Sequence, residues 1–194
     1  RGSLDILQTQ TTLNRQQEKV LDRMRHTVRS MESLIETLLL LAREEGMQSE
    51  AQEVCLGDLV PAVLDQVKDA LGCPDTLVTL TVHGELRVRA AASVIGIILT
   101  NLVRNAIQYG EGRPVEVKLD SRFLTVTDHG RGMTREQLDR AFQPFYRAQA
   151  DGSGHGLGLA IVARLCERFG WPVNAYSTPG EGTSITILLA PSPA

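Results

Sequence analysis

The feature that most restricts what this chain can fold into is an apolar heptad seam near its N-terminus. Apolar residues recur at alternating steps of three and four from Leu21 to Ala42, over about three heptads. The seam predicts a helix that begins near Asn14 and ends before Gly46. Apolar positions among residues 4–13 predict the end of a preceding helix. We therefore expect residues 1–47 to form an antiparallel helical hairpin that dimerises into a bundle. The alternative is a single amphipathic helix lying on its own domain.

The pattern changes after a polar stretch at residues 48–54, which we interpret as a linker to a second domain at 55–194. Helices are predicted at 57–71, 91–109, 134–140 and 157–169, and strands at 77–82, 85–89, 115–119, 123–127, 173–177 and 183–189. The helix at 134–140 is expected to begin with Thr134 as N-cap, and Gln137 completes a capping-box pattern. Consecutive strands are expected to pair as hairpins, the first across a His83-Gly84 turn. The predicted fold is therefore α+β: an N-terminal helical hairpin, then a two-layer α/β sandwich with a mixed, mostly antiparallel sheet.

Composition excludes several classes of protein. The 194 residues carry a formal net charge of −3 with no basic stripe, so nucleic acid is not expected as a partner. Three widely spaced cysteines argue against a disulfide framework or a zinc site. The longest apolar runs are far shorter than the roughly 18 residues of a membrane span. Because the sequence opens without an initiator methionine or a targeting motif, we expect it to be a piece of a longer protein.

Two asparagines interrupt the long apolar helix. Asn101 and Asn105 are one turn apart and share a face of the predicted helix. Carboxamide oxygens are hard ligands that suit Mg²⁺ held together with phosphate oxygens. The alternative is that both side chains hydrogen-bond a neighbouring loop.

An acidic residue and two glycines directly follow a predicted strand, in the run Asp128-His129-Gly130-Arg131-Gly132. A carboxylate at a strand end could accept a hydrogen bond from an exocyclic amine such as that of adenine. Glycines just after it allow a ligand to approach the backbone closely. The alternative is an ordinary polar turn.

Two further motifs lie downstream. Residues 142–147 are aromatic-rich (Phe-Gln-Pro-Phe-Tyr-Arg), which alone indicates a small apolar cluster under a loop. Residues 154–159 (Gly-His-Gly-Leu-Gly-Leu) open a helix, where free backbone amides bind anions. No lysine follows Lys118, so this loop is not a Walker loop.

Taken in order, these four motifs resemble the ATP-binding domain of bacterial sensor histidine kinases. Asn-x-x-x-Asn, Asp-x-Gly-x-Gly, Phe-x-Pro-Phe and Gly-x-Gly-Leu-Gly-Leu fall within about 60 residues and match that family's asparagine, first glycine, phenylalanine and second glycine boxes. The predicted helical hairpin resembles the family's dimerisation and histidine-phosphotransfer domain. The resemblance covers nearly the whole chain, and the phenylalanine box separates these kinases from other ATPases of the GHKL superfamily.

The resemblance implies which residues contact the adenine of ATP. Asp128 would accept the hydrogen bond of the adenine amine, and Tyr109 would pack beside the ring. Gly130 and Gly132 would shape the pocket. Thr183, which follows Gly182 on the last hairpin, would lie near the base.

The resemblance also implies which residues contact the phosphates. Asn105 would coordinate the Mg²⁺ that bridges them, with Asn101 in support. Residues 133–153 would form a mobile lid that Phe145 anchors, and Arg147 could reach the γ-phosphate. The phosphates would lie against the start of the last helix, at Gly154, Gly156, Leu157 and Gly158.

The chain departs from the family at the phosphate acceptor. The family's phosphorylated histidine lies in a His-Glu-x-x-x-Pro type motif of the first bundle helix, and no such motif is present. His26 lies off the heptad seam and is interpreted as a surface residue. Gln108 stands where a basic residue is frequent. We therefore expect the chain to bind ATP and Mg²⁺ without phosphorylating itself.

The resemblance implies a function for the intact protein. It would be a membrane-anchored homodimer that transfers the γ-phosphate of ATP to its own histidine and then to an aspartate of a response regulator, on the cytoplasmic side of the bacterial inner membrane. Two alternatives stay open: a nucleotide-binding or dimerisation module without kinase activity, and another ATPase of the same superfamily. The helical hairpin before the ATP domain disfavours that ATPase.

Overall fold

The computed structural model describes residues 52–72, 74, 77–148 and 156–189. The predicted helical hairpin at 1–47 lies outside these residues. Within them, the chain forms the following elements: β1 (Gln52–Cys55), α1 (Leu56–Leu71), β2 (Val78–Val82), β3 (Arg87–Ala90), α2 (Ala92–Tyr109), β4 (Val115–Leu119), β5 (Phe123–Asp128), α3 (Arg135–Arg140), α4 (Gly158–Phe169), β6 (Val173–Thr178) and β7 (Gly182–Leu188). The predicted helices and strands of this part are confirmed to within two residues at each end.

The main sheet of the described residues has five strands in the order β2-β4-β5-β7-β6. The β2–β4 pair is parallel, and the other three pairs are antiparallel. The β5–β7 register places Asp128 opposite Thr183. The predicted mixed, mostly antiparallel sheet is therefore confirmed, and with it the hairpins β4–β5 and β6–β7.

One predicted hairpin is wrong. β2 and β3 do not pair: β3 instead pairs antiparallel with β1, with Val54 opposite Val88, in a separate two-stranded sheet. β1 overlaps the end of the predicted linker at 48–54. Its Gln52 and Glu53 are exposed, so the strand carries little of the apolar alternation that marks strands in a sequence. β2 is held in the main sheet by β4, and the pairing continues as His83 donates its backbone N–H to Leu119 O at 2.7 Å.

The core lies between the main sheet and three helices. α2 packs against α1, α4, β4 and β5. Its apolar residues on the inner side are almost fully buried, as are those of α1, and the largest include Leu56, Leu64, Ile95, Ile98 and Leu99. Each such side chain contributes about 1.5–3 kcal/mol relative to an exposed one. This layer of helices fixes α2, and therefore the two asparagines, against the sheet.

The short helix α3 begins as the sequence predicts. Thr134 accepts the backbone N–H of Gln137, and the Gln137 side chain accepts the N–H of Thr134 at 2.9 Å, which completes a capping box. Among the described residues, no helix has the length and apolar character needed to cross a membrane.

Candidate functional site

The candidate functional site is a cleft between the C-terminal half of α2, the start of α4, the loop after β5 and the start of β7. With the open space at its mouth it encloses about 1110 Å³. Its floor is apolar. The cleft is lined by Leu102, Arg104, Asn105, Ala106, Gln108, Tyr109, Val126, Asp128, Arg131, Gly132, Met133, Gln137, Ala141, Tyr146, Arg147, Ala148, Gly156, Gly158, Leu159, Thr183 and Ile185.

Asp128 forms the inner end of the cleft. It is the last residue of β5 and is only 7% exposed. Its Oδ1 accepts the backbone N–H of Gly130 at 2.9 Å, and the carboxylate also accepts the backbone N–H of Thr183. Burial raises the pKa of Asp128 above its ordinary value, although these two N–H donors and His129 act in the opposite direction. The carboxylate is thus held in place while its outward lone pairs face the cleft.

The loop after Asp128 fits only with glycine at position 132. Gly132 has φ +61°, and a Cβ there would lie 1.9 Å from Thr178 O. The loop is tied to the β6–β7 turn, since Gly180 donates its N–H to Arg131 O at 2.8 Å. Any side chain at Gly132 would therefore push the loop off this turn and open the inner end of the cleft.

Tyr109 and Arg131 form one wall. The Arg131 guanidinium lies over the Tyr109 ring, with Cζ 5.3 Å from its centroid, a cation–π geometry. The Arg131 backbone N–H is bonded to Tyr109 O at 3.3 Å, so the contact joins the loop after β5 to the end of α2.

The two asparagines lie at the opposite end of the cleft, against the start of α4. Asn101 is 7% exposed, donates to Ile97 O at 2.8 Å and accepts from Arg104 at 3.2 Å. Asn105 is half-buried and lines the cleft. A Cβ on Gly158 would lie 3.1 Å from Asn101 Oδ1 and 3.3 Å from Asn105 Nδ2. Glycine at this position therefore lets the N-terminus of α4 reach both carboxamides.

The charge at the cleft is mostly positive. The charged residues among its described lining are three arginines and one carboxylate: Arg104, Arg131, Arg147 and Asp128. Planar guanidinium groups recognise phosphate through paired hydrogen bonds. The arrangement can hold a ligand with several phosphate groups at one end and an amine at the other.

Most of the predicted site residues come together in this cleft. Those that line it directly are Asn105, Tyr109, Asp128, Gly132, Arg147, Gly156, Gly158 and Thr183. Asn101 and Gly130 do not line the cleft but bond residues that do: Asn101 accepts from Arg104, and Gly130 donates its N–H to Asp128. Gly154 and residues 149–153 of the predicted lid lie outside the described residues. The earlier part of that lid contains α3, and Met133 donates its N–H to Ser177 Oγ at 2.8 Å.

Besides Asn101 and Gly130, two more predicted site residues do not line the cleft. Phe145 is 62% exposed and has φ +64°, because its backbone N–H turns to bond Gly156 O at 2.9 Å. It therefore holds the glycine loop through its backbone rather than contacting a ligand through its ring. Leu157 is 4% exposed and belongs to the core.

Sequence reasoning missed several lining residues, including Arg104, Arg131 and Tyr146. Arg131 stands between the two glycines of its motif, but only the fold shows that it reaches Tyr109. Tyr146 lies in the aromatic-rich stretch, and the Arg140 guanidinium covers its ring at 4.4 Å. No sequence pattern marks Ser177 as a site residue, because its hydrogen bonds to Gly182 O and Thr183 Oγ1 cross the β6–β7 hairpin.

The domain that carries this cleft is similar to known proteins. Residues 90–193 match the family described as histidine kinase-, DNA gyrase B- and HSP90-like ATPase. The chain is 32% identical over 173 residues to the methanogenesis regulatory histidine kinase FilI of Methanothrix harundinacea, covering 86% of this chain and 19% of that protein. It is 33% identical over 190 residues to the sensor protein CseC of Streptomyces coelicolor, covering 91% of this chain and 35% of that protein.

A solved structure shares the fold. The mycobacterial sensor histidine kinase MprB superposes with a TM-score of 0.61 at 24% identity, covering 74% of this chain and 99% of that one. The chain therefore belongs to the family of histidine kinase-, DNA gyrase B- and HSP90-like ATPases, and it contains the catalytic domain of a sensor histidine kinase. It spans about a fifth of FilI and about a third of CseC.

Proposed function

We propose that the cleft binds ATP with Mg²⁺ and that the intact protein uses this ATP to phosphorylate a histidine. The observation that carries the proposal is the placement of a buried carboxylate at one end of the cleft and of a glycine-opened helix N-terminus, two asparagines and arginines at the other. This is the order that an adenine followed by a triphosphate requires.

The base is assigned to the Asp128 end. The carboxylate accepts a hydrogen bond from the exocyclic amine of adenine, and the apolar floor, with Val126 and Ile185, covers the ring. Tyr109, with Arg131 over its ring, closes one side. A hydrogen bond to a charged acceptor contributes about 1.5–3 kcal/mol, which favours a base with an amine over one with an oxygen at that position.

The triphosphate is assigned to the start of α4. Backbone amides at a helix N-terminus and the macrodipole attract the anion, and Arg147 and Arg104 supply positive charge. Asn105 is the residue that fits a Mg²⁺ ligand, since its carboxamide oxygen is a hard donor that lies beside this helix end. An ion held there by Asn105 would supply positive charge to neutralise the phosphates.

The remaining roles concern the intact protein. We propose that it dimerises through the hairpin at 1–47, receives the phosphoryl group on a histidine upstream of this chain, and passes it to an aspartate of a response regulator. We place it as a receptor anchored in the bacterial inner membrane, with this part on the cytoplasmic side. The chain itself lacks the family's histidine motif, so we expect no phosphorylation of this chain alone.

Isothermal titration of the chain tests the binding proposal. We expect saturable binding of ATP that is tighter with Mg²⁺ than with EDTA, and much weaker binding of UTP, whose base offers a carbonyl oxygen where an amine is needed. Equal affinity for the two nucleotides, or no saturable binding of ATP, would contradict the proposal.

Incubation with γ-labelled ATP tests the absence of an acceptor. The chain alone is expected to gain no acid-labile phosphate, whereas a chain extended upstream to restore the first bundle helix should be labelled on a histidine. Acid-labile label on the chain alone would show that one of its own histidines accepts phosphate.

A further inference from the structure

The hydroxyl of Ser177 lies where three separate elements of the cleft meet. Its Oγ is 2.8 Å from the backbone N of Met133, 2.9 Å from Gly182 O and 2.9 Å from Thr183 Oγ1. Met133 ends the loop after β5, and Thr183 lies beside Asp128 on the neighbouring strand. Both Met133 and Thr183 line the cleft.

The direction of each hydrogen bond at Ser177 follows from counting hydrogens. A serine hydroxyl has one hydrogen and two lone pairs. Gly182 O can only accept, so the Ser177 hydrogen is used there. The Met133 N–H can only donate, so it occupies one lone pair. The remaining lone pair faces Thr183 Oγ1, and all three bonds form together only when Thr183 is the donor.

We propose that Ser177 is a positioning residue that orients the Thr183 hydroxyl, so that Thr183 can only accept a hydrogen bond from a ligand in the cleft. The Thr183 hydrogen points to Ser177, which leaves its lone pairs for the ligand. The neighbouring Asp128 carboxylate is also an acceptor. This inference rests on the proposed binding of an adenine nucleotide, and it makes Ser177 a determinant of which purine is accepted.

The consequence is discrimination at position 6 of the purine. Adenine carries an amine there, which can donate to this pair of acceptors. Hypoxanthine carries a carbonyl oxygen, whose lone pairs would face the lone pairs of both side chains. If Ser177 loses its hydroxyl, Thr183 is free to rotate and donate to that oxygen. The penalty against hypoxanthine should then fall, because one of the two repelling acceptors has become a donor.

The test compares the affinities of the chain for ADP and inosine diphosphate in four proteins. Saturable ADP binding by the wild type tests the proposed function, and the ratio of the two dissociation constants tests the inference. We expect Ser177→Ala to lower the preference for ADP at least fivefold. Ser177→Thr keeps the hydroxyl and should keep the preference. Ser184→Ala is the matched control, since it removes a neighbouring hydroxyl that bonds Thr127 at 2.9 Å on the same sheet.

Hydrogen exchange separates positioning from loss of structure. The Met133 amide should lose protection in Ser177→Ala, which reports that the hydroxyl has been removed from the network. The inference is wrong if that amide is deprotected while the ratio of the dissociation constants for ADP and inosine diphosphate is unchanged. It is also wrong if the affinities for the two nucleotides fall by the same factor. Should Ser177→Ala fail to fold, Thr183→Val carries the test: a lowered preference for ADP supports the inference and an unchanged one overturns it.

Discussion

The two ends of the cleft are built in different ways. At the base end, Asp128 accepts backbone N–H groups, the Thr183 hydroxyl is hydrogen-bonded to Ser177 Oγ, and Gly132 packs against Thr178 O. At the proposed phosphate end, the lining includes the long side chains of Arg104 and Arg147, around the start of α4.

On the proposed assignment, this difference separates recognition of the base from the ordering of the phosphate contacts. The base end exists before a ligand arrives, so it loses little conformational entropy on binding. The arginine side chains at the phosphate end have many rotamers, and ordering each one costs up to about 2 kcal/mol. We therefore expect base contacts to set affinity with or without Mg²⁺, and phosphate contacts to depend on the ion.

The largest effect is expected for Asp128→Ala. Loss of the Asp128 carboxylate removes the acceptor for the amine and leaves the N–H groups of Gly130 and Thr183 without a partner carboxylate. The affinity for ADP should therefore fall about 100-fold, or roughly 3 kcal/mol. Calorimetry should find this loss both with Mg²⁺ and with EDTA. Asp69→Ala, which removes an exposed carboxylate of α1, is the control. An Asp128→Ala protein that still binds ADP normally would rule out the assigned base end.

Asn105→Ala should produce a smaller effect that depends on the metal. Losing one ligand to the ion should weaken ATP binding about tenfold in Mg²⁺, while affinity in EDTA stays nearly unchanged. Asn174→Ala serves as the control because Asn174 is exposed on β6, outside the cleft. An equal loss with and without the ion would mean that Asn105 has a structural role rather than a metal-binding one.

The sequence predicts those parts of the site whose signals are local. The periodicity of α2, the strand before Asp128 and the capping box of α3 each lie within a few neighbouring residues, and all three are found in the structure. Contacts between distant segments could not be predicted in this way. The pairing of β1 with β3, the Arg131–Tyr109 stack and the Ser177 network each join segments that are far apart in the chain.

Gly158→Ala and Gly96→Ala compare two helical glycines with different surroundings. A Cβ at Gly158 would crowd both asparagines, whereas at Gly96 the nearest atom is Val63 Cγ2 at 4.0 Å. Gly158→Ala should weaken Mg²⁺-dependent ATP binding severalfold. Gly96→Ala should leave binding unchanged and raise helix stability by about 0.5–1 kcal/mol. Thermal unfolding with titration of both variants checks this, and normal ATP affinity in Gly158→Ala would show that the asparagines can move aside.

The smallest effect is expected from acidification. In the proposed complex the amine of adenine would bond the ionised carboxylate, and burial raises the pKa of Asp128. Protonation therefore begins at a higher pH than for an exposed aspartate, and ADP affinity should fall as the pH drops through this raised pKa. Calorimetry at successively lower pH should find this slope, and Asp128→Asn should lack it. A slope that persists in Asp128→Asn would assign the titration to another group.

A crystal structure of the chain with Mg²⁺ and a non-hydrolysable ATP analogue would show directly how the nucleotide lies in the cleft. We predict the adenine amine within hydrogen-bond distance of the Asp128 carboxylate, and the phosphates at the start of α4 with the ion on Asn105. A nucleotide bound in the reverse direction, or outside the cleft, would contradict the assignment of Asp128 to the base and of α4 to the phosphates.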